Sequence, residues 1–316
     1  MPAAHDSPAR SKSRFIDPAT LMRIRSMELR ARSVVEGFFT GRHRSPFHGF
    51  STEFSEYRPY VPGDDPRFID WQALARTDRV YLKKFEDETN LRCLFLVDQS
   101  RSMAFGSRGY SKADYAATLA ATLAYFLSKQ GDATGALAFD TAVRGYLPPG
   151  SRGGHLRRLM HLLEQPADPG AGQGGTDLTA PLERAAELSS KRGLFVLLSD
   201  LLAPLESLGT RLAYLRARGH EAVAIQILDP AEIDFDFKNA AYFHDLESAD
   251  EVYADPDAAR EGYQRRLNAH LAQVEAICGA QGVQYHRCRT DEPLEHGLYD
   301  FLAKRVAAAP RVARRG

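Results

Sequence analysis

From Leu91 to Leu302 the chain alternates short buried-strand runs with stretches of helical period, and this constrains its fold more than any other feature. Strand candidates are Cys93–Val97, Thr134–Phe139, Leu194–Leu198, Ala222–Leu228 and Val283–Cys288, with Val143–Leu147 as an edge strand. Continuous apolar runs of this kind mark strands covered on both faces, and helices between successive strands make the sheet parallel. The clearest helix is Ser111–Gln130, where Tyr115, Leu119, Leu123 and Leu127 recur every four residues beside Thr122 and Phe126, forming one apolar stripe. His155–Glu164, Leu178–Lys191, Pro204–Arg218, Ala258–Ala280 and Pro293–Val306 follow the same rule. Gly131, Gly193, Gly219 and Gly282 stand at or near the ends of these helices, where a left-handed cap is expected. The pattern predicts an α/β fold, a mostly parallel sheet with helices on both faces.

At 316 residues the chain has room for one large domain plus something smaller, or for two domains. With 44% hydrophobic and 26% charged residues it can bury a core without staples, which excludes a string of small disulfide modules. Lys plus Arg and Asp plus Glu both number 41, so no global field favours nucleic acid or an anionic membrane. Cys93, Cys278 and Cys288 are odd in number and lack a C-x-x-C pair, which suggests neither a disulfide framework nor a zinc knuckle. The polar, basic start lacks an apolar signal region, and no run approaches the length of a membrane span. The expectation is a cytoplasmic protein with no membrane span and no nucleic-acid partner.

Charge is nevertheless segregated. Met1 to Arg44 holds nine Arg or Lys against four Asp or Glu, whereas Leu228 to Asp257 holds ten acidic residues against the single Lys238. Such patches are solvated faces, or they dock on each other or on a partner. The organisation read from these shifts is a basic segment over 1–40, a polar, aromatic-rich attachment segment over 41–90, the α/β domain over 91–306 and an Ala/Arg-rich tail that frays over 307–316. Within the attachment segment only the stretch around Ile69 to Arg76 shows a helical period.

The sharpest chemical signal is Asp98-Gln99-Ser100-Arg101-Ser102, directly after the apolar run Leu94–Val97. Ligands of open α/β sheets bind beyond the carboxyl ends of the strands, so these oxygens lie on the functional edge. One carboxylate and two hydroxyls at alternate positions of a turning loop can converge on a hard cation, Mg²⁺ or Mn²⁺ rather than zinc. Asp200, after the strand Leu194–Leu198, brings a second carboxylate to that edge. Thr176, in Gly174-Gly175-Thr176-Asp177, brings a further hydroxyl, with Asp177 as the alternative. The plain alternative is that all these side chains cap helices and satisfy loop amides. The order D-x-S-x-S, Thr, Asp resembles the metal-ion-dependent adhesion site of von Willebrand factor A domains, a resemblance that spans about Arg92 to Ala303. It implies a von Willebrand factor A-like, Rossmann-like fold with Asp98, Ser100, Ser102, Thr176 and Asp200 as metal ligands, directly or through water.

A second signal runs from Glu53 to Trp71, through Tyr57-Arg58-Pro59 and Pro62-Gly63-Asp64-Asp65-Pro66, and continues with Ala75-Arg76 and Lys83-Lys84-Phe85-Glu86. With Asp98-x-Ser100-x-Ser102-Met103 it resembles the bacterial family called domain of unknown function fifty-eight. Those proteins are von Willebrand factor A-like and are commonly associated with MoxR-type AAA+ ATPases. Many relatives carry upstream transmembrane helices, and this chain resembles the members without them. Arg58, Arg67 and Arg76 alternate with Glu53, Glu56, Asp64, Asp65 and Asp70, so they either pair to lock the segment onto the α/β body or form a surface that reads carboxylates or phosphates. Trp71, the lone tryptophan, is expected to be a buried anchor.

Two functions fit these motifs. One is a non-enzymatic, metal-dependent interaction module whose cation takes a partner's carboxylate, with a MoxR-type ATPase as the partner that the resemblance implies. The other is a metal-dependent hydrolase acting on a phosphoryl or peptide substrate, with His155 or His220 as its base. The chain contains no G-x-S-x-G, H-E-x-x-H or phosphate-loop motif, which favours the first.

Overall fold

The computed structural model describes residues 15–41, 57–59, 81–83, 91–165, 178–202, 204, 205, 207–237, 241–244 and 251–308. Its centre is a six-stranded sheet built from β3 (Arg92–Asp98), β4 (Ala133–Phe139), β5 (Val143–Gly150), β6 (Leu194–Ser199), β7 (Glu221–Leu228) and β10 (Gln284–Arg289). The spatial order is β10-β7-β6-β3-β4-β5, parallel throughout except for the antiparallel edge pair β4–β5. The edge strand is only partly buried and carries Pro148 and Pro149, as suits a strand with one unpaired side.

Side chains of β3 alternate between the two faces, as its pleat requires. Cys93, Phe95 and Val97 enter one core with α2 (Met27–Gly41), α3 (Lys112–Lys129), α4 (His155–Glu164) and α9 (Leu294–Ala308). Leu94 and Leu96 enter the other, with α5 (Thr179–Leu188), α6 (Leu208–Ala217) and α8 (Pro256–Ala280). Helix α3 shows the stripe Tyr115, Leu119, Leu123 and Leu127 fully buried, and its opposite side is also covered because α2 packs on it. Its buried Thr118 and Thr122 hydroxyls donate to the carbonyls of Asp114 and Thr118, both at 2.8 Å. Ser111 and Asp114 close a reciprocal cap that starts α3 just beyond the Asp98 loop.

Several elements went beyond the pattern read from the sequence. The basic N-terminal segment contains α1 (Pro18–Met22) and α2, whose Leu21, Met27, Ala31, Val34, Val35 and Phe38 are core residues. Two small antiparallel ribbons pair β1 (Tyr57–Pro59) with β2 (Tyr81–Lys83), and β8 (Ala241–His244) with β9 (Glu251–Ala254). A short helix, α7 (Pro230–Asp234), follows β7. Gly131, Gly219 and Gly282 have positive φ, but Gly193 does not. A Cβ there would stand 2.5 Å from the Arg92 carbonyl oxygen, so Gly193 serves the close approach of β6 to β3 rather than a helix cap. Trp71, Arg67, Arg76 and the Ile69–Arg76 stretch lie outside the described residues, as do Thr176 and Asp177. All three cysteines are buried.

Candidate functional site

The chain leaves β3 toward β4 on one side and later adds β6 on the other, so a crevice opens beyond the carboxyl ends of β3 and β6. Asp98 ends β3, and Asp200 directly follows β6. Asp98 is fully buried. Its Oδ1 accepts the Ser100 backbone N–H at 2.8 Å, which turns the chain at the strand end. Its Oδ2 accepts the Ser199 hydroxyl at 2.5 Å. Ser102 opens a single 3₁₀ turn (Ser102–Ala104), and its Oγ lies 3.1 Å from Ser100 Oγ. The structure thus gathers the Asp98 carboxylate and both hydroxyls on one loop.

Asp200 is held from the neighbouring strands. Gln226 in β7 donates its side-chain amide to the Asp200 carbonyl at 2.6 Å, and Tyr285 in β10 donates to Gln226 Oε1. Leu201, with φ of 52°, is a non-glycine residue in the left-handed region. Its N–H donates to Ser199 Oγ, and its carbonyl lies 2.6 Å from His270 Nε2. This turn keeps the two carboxylates close. Burial, and next the nearby charge of Asp200, push the Asp98 carboxyl up to about 7, while hydrogen bonds from Ser199 and Ser100 pull the other way.

The structure adds a residue that no motif indicated. Lys112, the first residue of α3, is fully buried, and its Nζ donates to Asp200 Oδ2 at 2.8 Å and to Glu232 Oε1 at 2.6 Å. The same ammonium stands 6.0 Å from the centre of the Phe105 ring. Burial alone lowers the lysine, but Asp200 and Glu232 outweigh it and raise its affinity for the proton. Burial also raises Glu232, against the pull of Lys112. The upward shift of the acid opposes the ion pair and that of the base favours it; two carboxylate contacts below 3 Å decide for a protonated lysine. Glu232 in turn accepts the Asp229 N–H at 2.9 Å. Asp229 holds the 105–110 loop by accepting the N–H and hydroxyl of Ser107, and it also accepts the Thr290 hydroxyl. Burial pushes the Asp229 carboxyl up, but these bonds together hold it below its ordinary range.

The donor set at the Asp98 edge is all oxygen, which suits a hard divalent ion. Among the described residues no group of three His, Cys, Asp or Glu side chains could hold a metal, so an ion at this edge would take serine hydroxyls. Asp98, Ser100 and Ser102 fit that role, whereas Asp200 already has a cation in Lys112. The two histidines considered as bases sit elsewhere. His155 Nε2 is 2.7 Å from the Thr134 carbonyl, and His220 packs on Phe195 just before β7, both at the opposite end of the sheet.

A parallel α/β sheet with one antiparallel edge strand, bearing D-x-S-x-S at the end of a central strand, is similar to the arrangement of von Willebrand factor A-like domains. A family model described as protein of unknown function DUF58 matches residues 56–273. The chain belongs to that family. Similar curated proteins are the uncharacterized proteins Rv1480 of Mycobacterium tuberculosis and Mb1516 of Mycobacterium bovis, each 29% identical over 310 residues, which cover 98% of this chain and 96% of theirs. Among solved structures, the conserved hypothetical protein BatB from Bacteroides thetaiotaomicron is 15% identical with a TM-score of 0.48, over 69% of this chain and 99% of that one. The VWA domain of SpRpn10 is 11% identical with a TM-score of 0.39, over 67% and 95%. No described helix is long and apolar enough to cross a membrane.

Proposed function

We propose that this chain is a non-enzymatic, metal-dependent protein-interaction module, an adaptor or chaperone partner of a MoxR-type AAA+ ATPase. In this reading Asp98, Ser100 and Ser102 hold Mg²⁺ or Mn²⁺, Thr176 and Asp200 assist directly or through water, and a partner's Asp or Glu takes the remaining position. The observation that carries it is the packing of one buried carboxylate and two serine hydroxyls on a single loop at the carboxyl end of β3. A buried acid with a raised proton affinity is an expensive feature to keep for capping alone, and perturbed groups of this kind cluster at functional sites. The ATPase enters through the family resemblance.

The test is thermal unfolding with and without Mg²⁺ or Mn²⁺. The wild type is expected to melt higher with the ion, and Asp98→Ala to lose that response while keeping its far-ultraviolet circular dichroism. Equal shifts in both proteins would remove the metal reading. For the partner, co-purification of an AAA+ ATPase should weaken with EDTA or with Asp98→Ala; unchanged recovery would place binding elsewhere.

A further inference from the structure

Lys112 occupies a position that ordinary helix energetics disfavour. It is the first residue of α3, where the helix dipole repels a cation, and it is fully withdrawn from water. A lysine is rarely buried so completely unless it is paired. Its stem crosses from the start of α3 to the end of β6 and to α7, so that one ammonium is shared by Asp200 and Glu232. Alternative residues would satisfy the loop without a buried charge. What a fixed ammonium does here, and a neutral side chain would not, is cancel one negative charge beside the oxygens of Asp98, Ser100 and Ser102.

The geometry points to Lys112 as a positioning and selectivity residue of the metal edge. It offsets one of the two carboxylates it touches and fixes Asp200 by its Oδ2, so that a divalent ion on Asp98, Ser100 and Ser102 is less fully neutralised toward an acidic partner. This inference rests on the metal reading given above. The charge arithmetic is direct. A divalent ion on Asp98 and two neutral hydroxyls, with Lys112 pairing both Asp200 and Glu232 beside it, makes a cluster in which three positive charges meet three carboxylates, a sum of zero. With Lys112 removed, the same cluster carries one net negative charge. The ion is then held more tightly, and a partner's carboxylate is attracted less. Glu232 tunes the same balance with the opposite sign, because it draws on the ammonium that Asp200 also uses.

The experiment titrates the full chain with Mn²⁺ alone, read by electron paramagnetic resonance of the free ion, for wild type, Asp98→Ala, Lys112→Met and Glu232→Gln. Lys112→Met is expected to bind Mn²⁺ about tenfold more tightly than wild type, since a unit charge is removed from a low-dielectric edge. Glu232→Gln is expected to bind several-fold more weakly, and because Glu232 lies at the rim, it decides the matter if Lys112→Met does not fold. Lys112→Met binding no tighter than wild type, or Glu232→Gln equal to wild type, overturns the role of Lys112 while Asp98-dependent binding in the wild type leaves the metal reading standing. Absence of Asp98-dependent Mn²⁺ binding in every protein overturns both.

Discussion

Asp98→Asn should make the metal-free protein more stable and deaf to metal at once. Asp98 is fully buried, and its carboxyl is pushed up to about 7 from an ordinary 3.8, chiefly by burial and next by Asp200. Each unit is worth about 1.4 kcal/mol, so holding the charged form at pH 8 costs at most about 4 kcal/mol. Asparagine keeps the shape and can still accept from the Ser100 N–H, while Ser199 can turn to accept from the new amide. Weaker bonds to a neutral group return about 1–2 kcal/mol of that gain, leaving a net stabilisation of about 2 kcal/mol, or roughly 4 °C in Tm. The sign follows from the folded proton affinity exceeding the unfolded one. Wild-type stability is fully present below 3.8 and declines as pH rises through about 7, so the gap between the two proteins opens across that window. Calorimetric melts in EDTA at pH 5 and pH 8 measure it. An Asp98→Asn protein less stable than wild type at pH 8, or a gap equal at both pH values, would refute the reasoning.

The same proton links metal binding to pH. Because Mg²⁺ must displace it, affinity should rise about tenfold per unit up to pH 7 and then level off, with proton release visible by calorimetry in buffers of different ionisation enthalpy; pH-independent affinity would contradict this. Gly193→Ala drives a Cβ against the Arg92 carbonyl at 2.5 Å and should lose about 2 kcal/mol or more in urea unfolding; a loss below 0.5 kcal/mol would show that β6 can shift. Asp229→Ala releases Ser107, Thr290 and the cap of α7 and should cost about 2–4 kcal/mol at pH 7. Since its proton affinity is lowered by folding, the stability it contributes is present above 3.8 and fades in acid, so the difference from wild type should shrink by pH 3.

The central strands and the larger helices were legible because burial on two faces leaves uninterrupted apolar runs, and because α3 carries a strict four-residue stripe. Helix α2 was hidden by its charge. Reading Met1 to Arg44 as a basic patch obscured Met27, Ala31, Val34 and Phe38, whose spacing is helical and whose side chains enter the core. The cap of α7 was also readable, since Asp229-Pro230-Ala231-Glu232 is a capping box with proline at the first helical position. The β8–β9 ribbon has four-residue strands inside an acidic run, too short for an alternation to stand out. At the site, the loop of Asp98, Ser100 and Ser102 was visible as a motif after a buried strand. Lys112 and Gln226 were not, because a lysine in a first helical turn is ordinarily solvated and a glutamine within a strand carries no signal of the carbonyl it will serve.

The most direct test of the central claim is a crystal of the full chain grown with Mn²⁺ and examined for anomalous scattering. The account predicts one strong peak about 2.0–2.3 Å from an Asp98 carboxylate oxygen and from the Ser100 and Ser102 hydroxyls, absent in Asp98→Ala. Featureless density there at saturating Mn²⁺, with the serine hydroxyls turned to loop amides, would contradict it.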